Sequence, residues 1–115
     1  MGMKDGCQLL QNERDLENLL KSEERLMALW HASWCPFCRN FLPIFERHAG
    51  EGGMCFAVVQ DDDESMAPRY AVDIYPSVLF FAKGTVSKRL DGQSRVGLNE
   101  EQLTAFIQSC SAAGC

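Results

Sequence analysis

Three near-continuous apolar runs constrain this chain more than any other feature: residues 26–32 (LMALWHA), 54–59 (MCFAVV) and 77–82 (SVLFFA). Each is short and lacks polar alternation, the signature of a strand buried on both faces of a sheet. Helical patterns lie between them. Asn12 ahead of Glu13, Arg14 and Asp15 reads as a capped helix start. Leu16, Leu19 and Leu20 follow at helical spacing, and Glu23, Glu24 and Arg25 close that helix. After the first run, Pro36 suits a first helical turn, where its missing N–H has no partner anyway. Phe41, Leu42, Ile44 and Phe45 continue this helix to about Ala49, with a kink expected at Pro43 and a stop at Gly50. Ser65 is read as capping a short helix through Tyr70. Lys83 and Gly84 signal a hairpin turn into a return strand over residues 86–90. Gly92 marks a bulge or a close backbone approach. Asn99 and Gln102 form a capping box before Leu103, Phe106 and Ile107.

The order helix, strand, helix, strand, helix, strand, strand, helix makes one α/β domain, as 115 residues allow. Its expected bounds are residues 12–108, after an N-terminal segment 1–11 and before a flexible tail 109–115. An excess of 16 acidic over 11 basic side chains, net charge −5, gives no pull toward phosphate, so nucleic acid is not an expected partner. No run approaches the roughly 18 apolar residues of a membrane span. Residues 1–6 lack the apolar core of a signal peptide, so a cytoplasmic location is the expectation; a monomer is expected as well.

Of the six cysteines, Cys7, Cys35, Cys38, Cys55, Cys110 and Cys115, only Cys35 and Cys38 form a tight pair. A single C-x-x-C offers two ligands where structural zinc wants four. The histidines, His31 and His48, lack the spacing to complete the set, so no metal is expected. A redox pair fits better. The pair stands where a buried strand turns into a helix, at unpaired N–H groups and the positive end of the helix dipole. A thiol there ionises more readily, and the thiolate is the reactive form. Cys35, at the cap, is therefore read as the nucleophile. Cys38, one turn further in, is the buried resolving thiol, and Trp34 covers the site with an apolar ring.

The motif Trp34, Cys35, Pro36, Phe37, Cys38 after an apolar strand resembles the active site of thioredoxin-like proteins. The resemblance runs over roughly residues 12–108. Pro43 matches the family's kink proline. The stretch from Ala67 to Ser77 resembles the approach to its cis-proline, and Phe80, Phe81, Gly84 and Gly92 resemble its closing hairpin. It implies a thioredoxin fold, a central mixed β-sheet flanked by helices, with a redox-active Cys35–Cys38 disulfide and no other cofactor. It also implies a cis Tyr75–Pro76 bond facing the cysteines. The Tyr75 backbone would then pair with an extended substrate segment, so Trp34, Tyr75 and Pro76 are the expected substrate-binding residues.

Two departures stand out. Leu29 occupies the position where the family buries an acid beneath the second cysteine, and Pro36 with Phe37 replaces the Gly-Pro of thioredoxins. Pro36, Phe37 and His31 are thus candidate modulators. His31 shares strand parity with Leu29 and reads either as a half-buried core histidine or as a partial substitute for the acid. Arg39 and the acidic run 61–64 read as solvated surface. Cys55 reads as a core filler, and Cys7, Cys110 and Cys115 as incidental thiols.

The expected function is thiol–disulfide exchange with disulfide-containing protein substrates, as a reductase supplied by a thioredoxin reductase. The same residues also fit a disulfide isomerase, a glutathione-coupled reductase, or a non-enzymatic interaction module.

Overall fold

The computed structural model describes residues 7–93 and 95–113. Cys115 and the start, residues 1–6, lie outside the described residues. The elements run β1 (Cys7–Leu10), α1 (Glu13–Ser22), β2 (Arg25–His31), α2 (Pro36–Arg47), β3 (Cys55–Gln60), β4 (Ser77–Ala82), β5 (Thr85–Asp91) and α3 (Glu100–Ala113). The strands form one mixed sheet in the order β1-β3-β2-β4-β5. β3 runs parallel to both β1 and β2, while β4 is antiparallel to β2 and β5. This is the α/β thioredoxin fold that the apolar runs and the motif imply.

β2 explains the layering. Leu26, Ala28 and Trp30 join Leu16 and Leu19 of α1 on one face. Met27 and Leu29 join Phe41 and Phe45 of α2, with Leu103 and Ile107 of α3, on the other. Successive strand side chains alternate between faces. A strand with helices on both sides therefore has to be apolar throughout, as residues 26–30 are.

Several local signals hold. Asn12 Oδ1 accepts from the Asp15 N–H at 2.8 Å. Asn99 and Gln102 exchange two bonds, at 2.8 and 2.9 Å. The hairpin turns at Lys83 and Gly84, both with positive φ.

Other boundaries move. Cys7–Leu10, inside the expected N-terminal segment, is a strand paired with β3. It is an edge strand whose two middle residues are exposed, so it lacks an apolar run. α3 continues through the expected tail to Ala113, because Cys110 extends the buried row of Leu103 and Ile107. α1 stops at Ser22, and Arg25 opens β2. The expected helix from Ser65 shrinks to a 3-10 turn, Pro68–Tyr70. There Arg89 of β5 clamps the chain, its guanidinium donating to the Tyr70 and Ala71 carbonyls at 3.1 and 2.8 Å while Asp91 holds it from behind.

Candidate active site

β2 ends at His31, and the chain enters α2 through Ala32, Ser33 and Trp34. Cys35 is the N-cap of α2, and Pro36 sits in the first turn, where no N–H is needed. The Cys35 Sγ accepts from the Cys38 N–H at 3.4 Å, so the cap itself brings the two cysteines together. Both thiols are free. Cys35 keeps 6% of its surface exposed and Cys38 none. Burial first, and then the contact with Cys35, pushes the Cys38 thiol up to about 12.

The facing wall is the segment before β4. The Tyr75–Pro76 bond is cis. The Ile74 carbonyl is taken by the Ser77 hydroxyl at 2.7 Å, and the Pro76 carbonyl by the Gly92 N–H at 3.0 Å. The Tyr75 carbonyl between them accepts from the Cys35 Sγ at 3.7 Å. Gly92 is a close backbone approach, since a Cβ there would stand 2.3 Å from the Pro76 oxygen. The Trp34 ring, 52% exposed, stacks over Tyr75 with centroids 5.9 Å apart. Phe37 is also partly exposed and lies against Gly97, where a Cβ would come within 3.0 Å of it.

The acidic run is more than solvated surface. Asp61 is 1% exposed, and its carboxylate accepts from the Met66 N–H, the Ala67 N–H and the Tyr75 hydroxyl. These bonds tie down the segment ahead of the Pro68–Tyr70 turn, which has no side-chain cap of its own. Asp62 accepts from the Ser33 N–H and hydroxyl, both at 2.8 Å, and its carbonyl accepts from the Trp34 indole N–H at 2.9 Å. The Ser33 bonds hold the Asp62 carboxyl below its ordinary range. Sequence reasoning missed both residues. The one available signal was Tyr75, a hydroxyl beside the proline that needs a partner if its ring is covered.

His31 is buried, and its Nδ1 has no hydrogen-bond partner among the described residues. Burial lowers its pKa, partly offset by Asp62. Leu29 is wholly buried within the α2–α3 face. Arg39 stays at the surface but donates to the Ser33 carbonyl at 3.2 Å. Cys7 and Cys110 are core residues whose thiols burial pushes up to about 12 and about 11. Cys55 is half-buried, and its sulfur accepts from Gln8. Among the described residues, no group of three or more His, Cys, Asp or Glu could hold a metal, and no helix is long and apolar enough to cross a membrane.

Comparison with known proteins gives the same result. The family model Thioredoxin matches residues 8–109. Protein disulfide-isomerase A5 of Bos taurus is 33% identical over 89 residues, covering 72% of this chain but only 17% of that protein. The chain thus spans about a sixth of this isomerase relative. Thioredoxin of Acidithiobacillus ferridurans is 28% identical over 110 residues, covering 93% of this chain and 98% of the relative. Thioredoxin H4 of Arabidopsis thaliana is 33% identical over 95 residues, covering 80% and 76%. The Fasciola hepatica thioredoxin structure superposes with a TM-score of 0.76 at 30% identity, covering 89% of this chain and 97% of that one. A Plasmodium falciparum thioredoxin, 17% identical, shares the fold at a TM-score of 0.78 over 89% of this chain and 97% of its own. A paired Cys35 and Cys38 at a helix cap and a family match over nearly the whole sheet agree: the chain belongs to the thioredoxin family.

Proposed function

We propose that this domain reduces protein disulfides, with Cys35 as the nucleophile, Cys38 as the resolving thiol and the Cys35–Cys38 couple as its only redox group. The observation that carries the reading is the Cys38 N–H aimed at the Cys35 Sγ from the first turn of α2. A backbone donor and a helix N-terminus both favour negative charge on the sulfur they face. The deprotonated Cys35 attacks one sulfur of the substrate disulfide. A Cys35–substrate bond forms, the substrate S–S bond breaks, and the departing thiolate takes up a proton. Cys38 then gives up its proton and attacks the Cys35 sulfur, releasing the second substrate thiol. Two electrons pass from the dithiol to the substrate, leaving Cys35–Cys38 oxidised.

The division of labour follows burial. Cys38 is sealed and its thiol held up at about 12, so it stays protonated until the mixed disulfide forms beside it. Trp34, Tyr75 and Pro76 bound the groove where the substrate lies. Pro36 and Phe37 modulate the pair from between the cysteines, and His31 from the end of β2. A flavoprotein thioredoxin reductase is the electron donor, and the domain works as a monomer in the cytoplasm.

Cys38→Ser should accumulate a mixed disulfide through Cys35 when mixed with insulin, while Cys35→Ser traps none and loses reductase activity. Mass spectrometry of the trapped species decides it: a mixed disulfide at Cys38 in the Cys35→Ser variant overturns the assignment. Equal inactivity of the wild type and both variants would leave only an interaction module. The isomerase relative supports a second reading, in which the same couple rearranges disulfides. Reactivation of scrambled ribonuclease, with thioredoxin reductase compared against glutathione as donor, separates the two.

A further inference from the structure

Tyr75 is fastened at three places. Its hydroxyl donates to Asp61 Oδ2 at 2.9 Å, its ring lies under Trp34, and its carbonyl receives the Cys35 Sγ. Asp61 is itself fixed, because the Met66 and Ala67 N–H groups donate to the same carboxylate at 2.8 to 3.2 Å. The carboxylate therefore cannot follow the ring if the ring moves. Of three successive carbonyls, those of Ile74 and Pro76 are held by Ser77 and Gly92. The Tyr75 carbonyl has no such tie from its own segment and meets only the Cys35 Sγ; its residue is oriented from the other side by the ring, which Trp34 covers and Asp61 holds by the hydroxyl.

We infer that the Tyr75 hydroxyl and the buried Asp61 carboxylate form one positioning unit, which aims the Tyr75 backbone into the groove and so selects substrates that lie along it as an extended chain. The inference rests on the oxidoreductase reading above. Neither side chain takes part in the exchange of sulfur bonds. The unit acts on recognition: an extended segment pairs with the Tyr75 backbone only when that peptide is correctly turned, whereas a small disulfide needs only the exposed edge of Cys35. Burial and the bond to Asp61 both raise the Tyr75 pKa, so the phenol stays a donor throughout the range in which thiols exchange.

The test compares insulin with hydroxyethyl disulfide as substrates of the full chain. Tyr75→Phe removes one oxygen and keeps the ring stack. It should raise KM for insulin, with most of the loss in KM rather than kcat, and lower the insulin-to-hydroxyethyl-disulfide selectivity ratio about tenfold, the size of one charge-assisted hydrogen bond. In the Tyr75→Phe background, Asp61→Ala should lower that ratio no further, since residues acting as a unit are not additive. An equal loss on both substrates, or an unchanged ratio, overturns the inference, and Tyr75→Phe alone decides it if Asp61→Ala does not fold. A wild type inactive on hydroxyethyl disulfide as well as insulin overturns the oxidoreductase reading and this inference with it.

Discussion

Strands β2 and β3 are parallel neighbours that end side by side, His31 opposite Gln60, yet they deliver opposite things to the same edge. β2 is apolar along nearly its whole length and hands on the cysteine motif without an acid. β3 hands on two acids at once. Asp61 faces inward to hold Tyr75, and Asp62 faces outward to hold Ser33 and Trp34. The two strand ends are also tied directly, the Asp61 N–H donating to the His31 carbonyl at 2.8 Å. One strand thus supplies stability and leads into the cysteine pair. The other supplies the fixed charges that hold the walls around that pair. A buried strand can carry a reactive motif at its end because its neighbour supplies the polar scaffolding.

Four substitutions sharpen or break this contrast. The largest effect belongs to β2. Trp30 is wholly buried against Tyr70 and Phe81, so Trp30→Ala should cost about 3–5 kcal/mol in urea unfolding. Insulin reduction per folded molecule should stay within about twofold, because no group at the groove is lost. A collapse of specific activity would break the division between the strands.

Asp61→Ala comes next. It strips the acceptor from the Met66 and Ala67 N–H groups and the Tyr75 hydroxyl, for a loss of about 3 kcal/mol. Here specific activity on insulin should fall along with stability, which sets it apart from Trp30→Ala. Asp62→Ala acts at the surface and should cost about 1 kcal/mol or less. Its clearer readout is Trp34, whose fluorescence should become more accessible to quenching as Ser33 loosens.

The smallest effect is a pH slope. Burial holds the His31 pKa below the ordinary 6.5, so the unfolded chain takes up this proton more readily than the folded one. The stability that His31 contributes is therefore complete above 6.5 and is lost as pH falls through the lowered folded value. His31→Phe should flatten the decline in urea midpoint between about pH 7 and about pH 5. An unchanged slope would remove His31 from the account of this edge.

What was legible in the sequence follows from how local each cause is. β2, β3 and β4 could be read because two-sided burial leaves a continuous apolar run. α2 could be read with its cysteines because a cap, a Pro in the first turn and an apolar face coincide. β1 was not legible: of its four residues only Cys7 and Leu10 are buried, and its pairing partner lies some fifty residues away. The end of α3 was legible in principle, since Leu103, Ile107 and Cys110 keep helical spacing, but small polar neighbours masked the pattern. At the site, the motif, the cis Tyr75–Pro76 bond and the Gly92 approach were all within reach. Asp61 was not, because within a run of four acids only the tertiary position of Tyr75 distinguishes the buried one from the solvated ones.

The clamp of Arg89 on the Tyr70 and Ala71 carbonyls has a consequence for association. The wall that carries Pro76 contains almost no regular secondary structure, and such segments ordinarily lose entropy when a partner docks. This one is fixed at its start by Asp61, in its middle by Arg89 and at its end by Ser77. On the proposed reading of the groove, an incoming chain would meet backbone that is already ordered, and the ordering cost of the encounter would fall almost wholly on that chain.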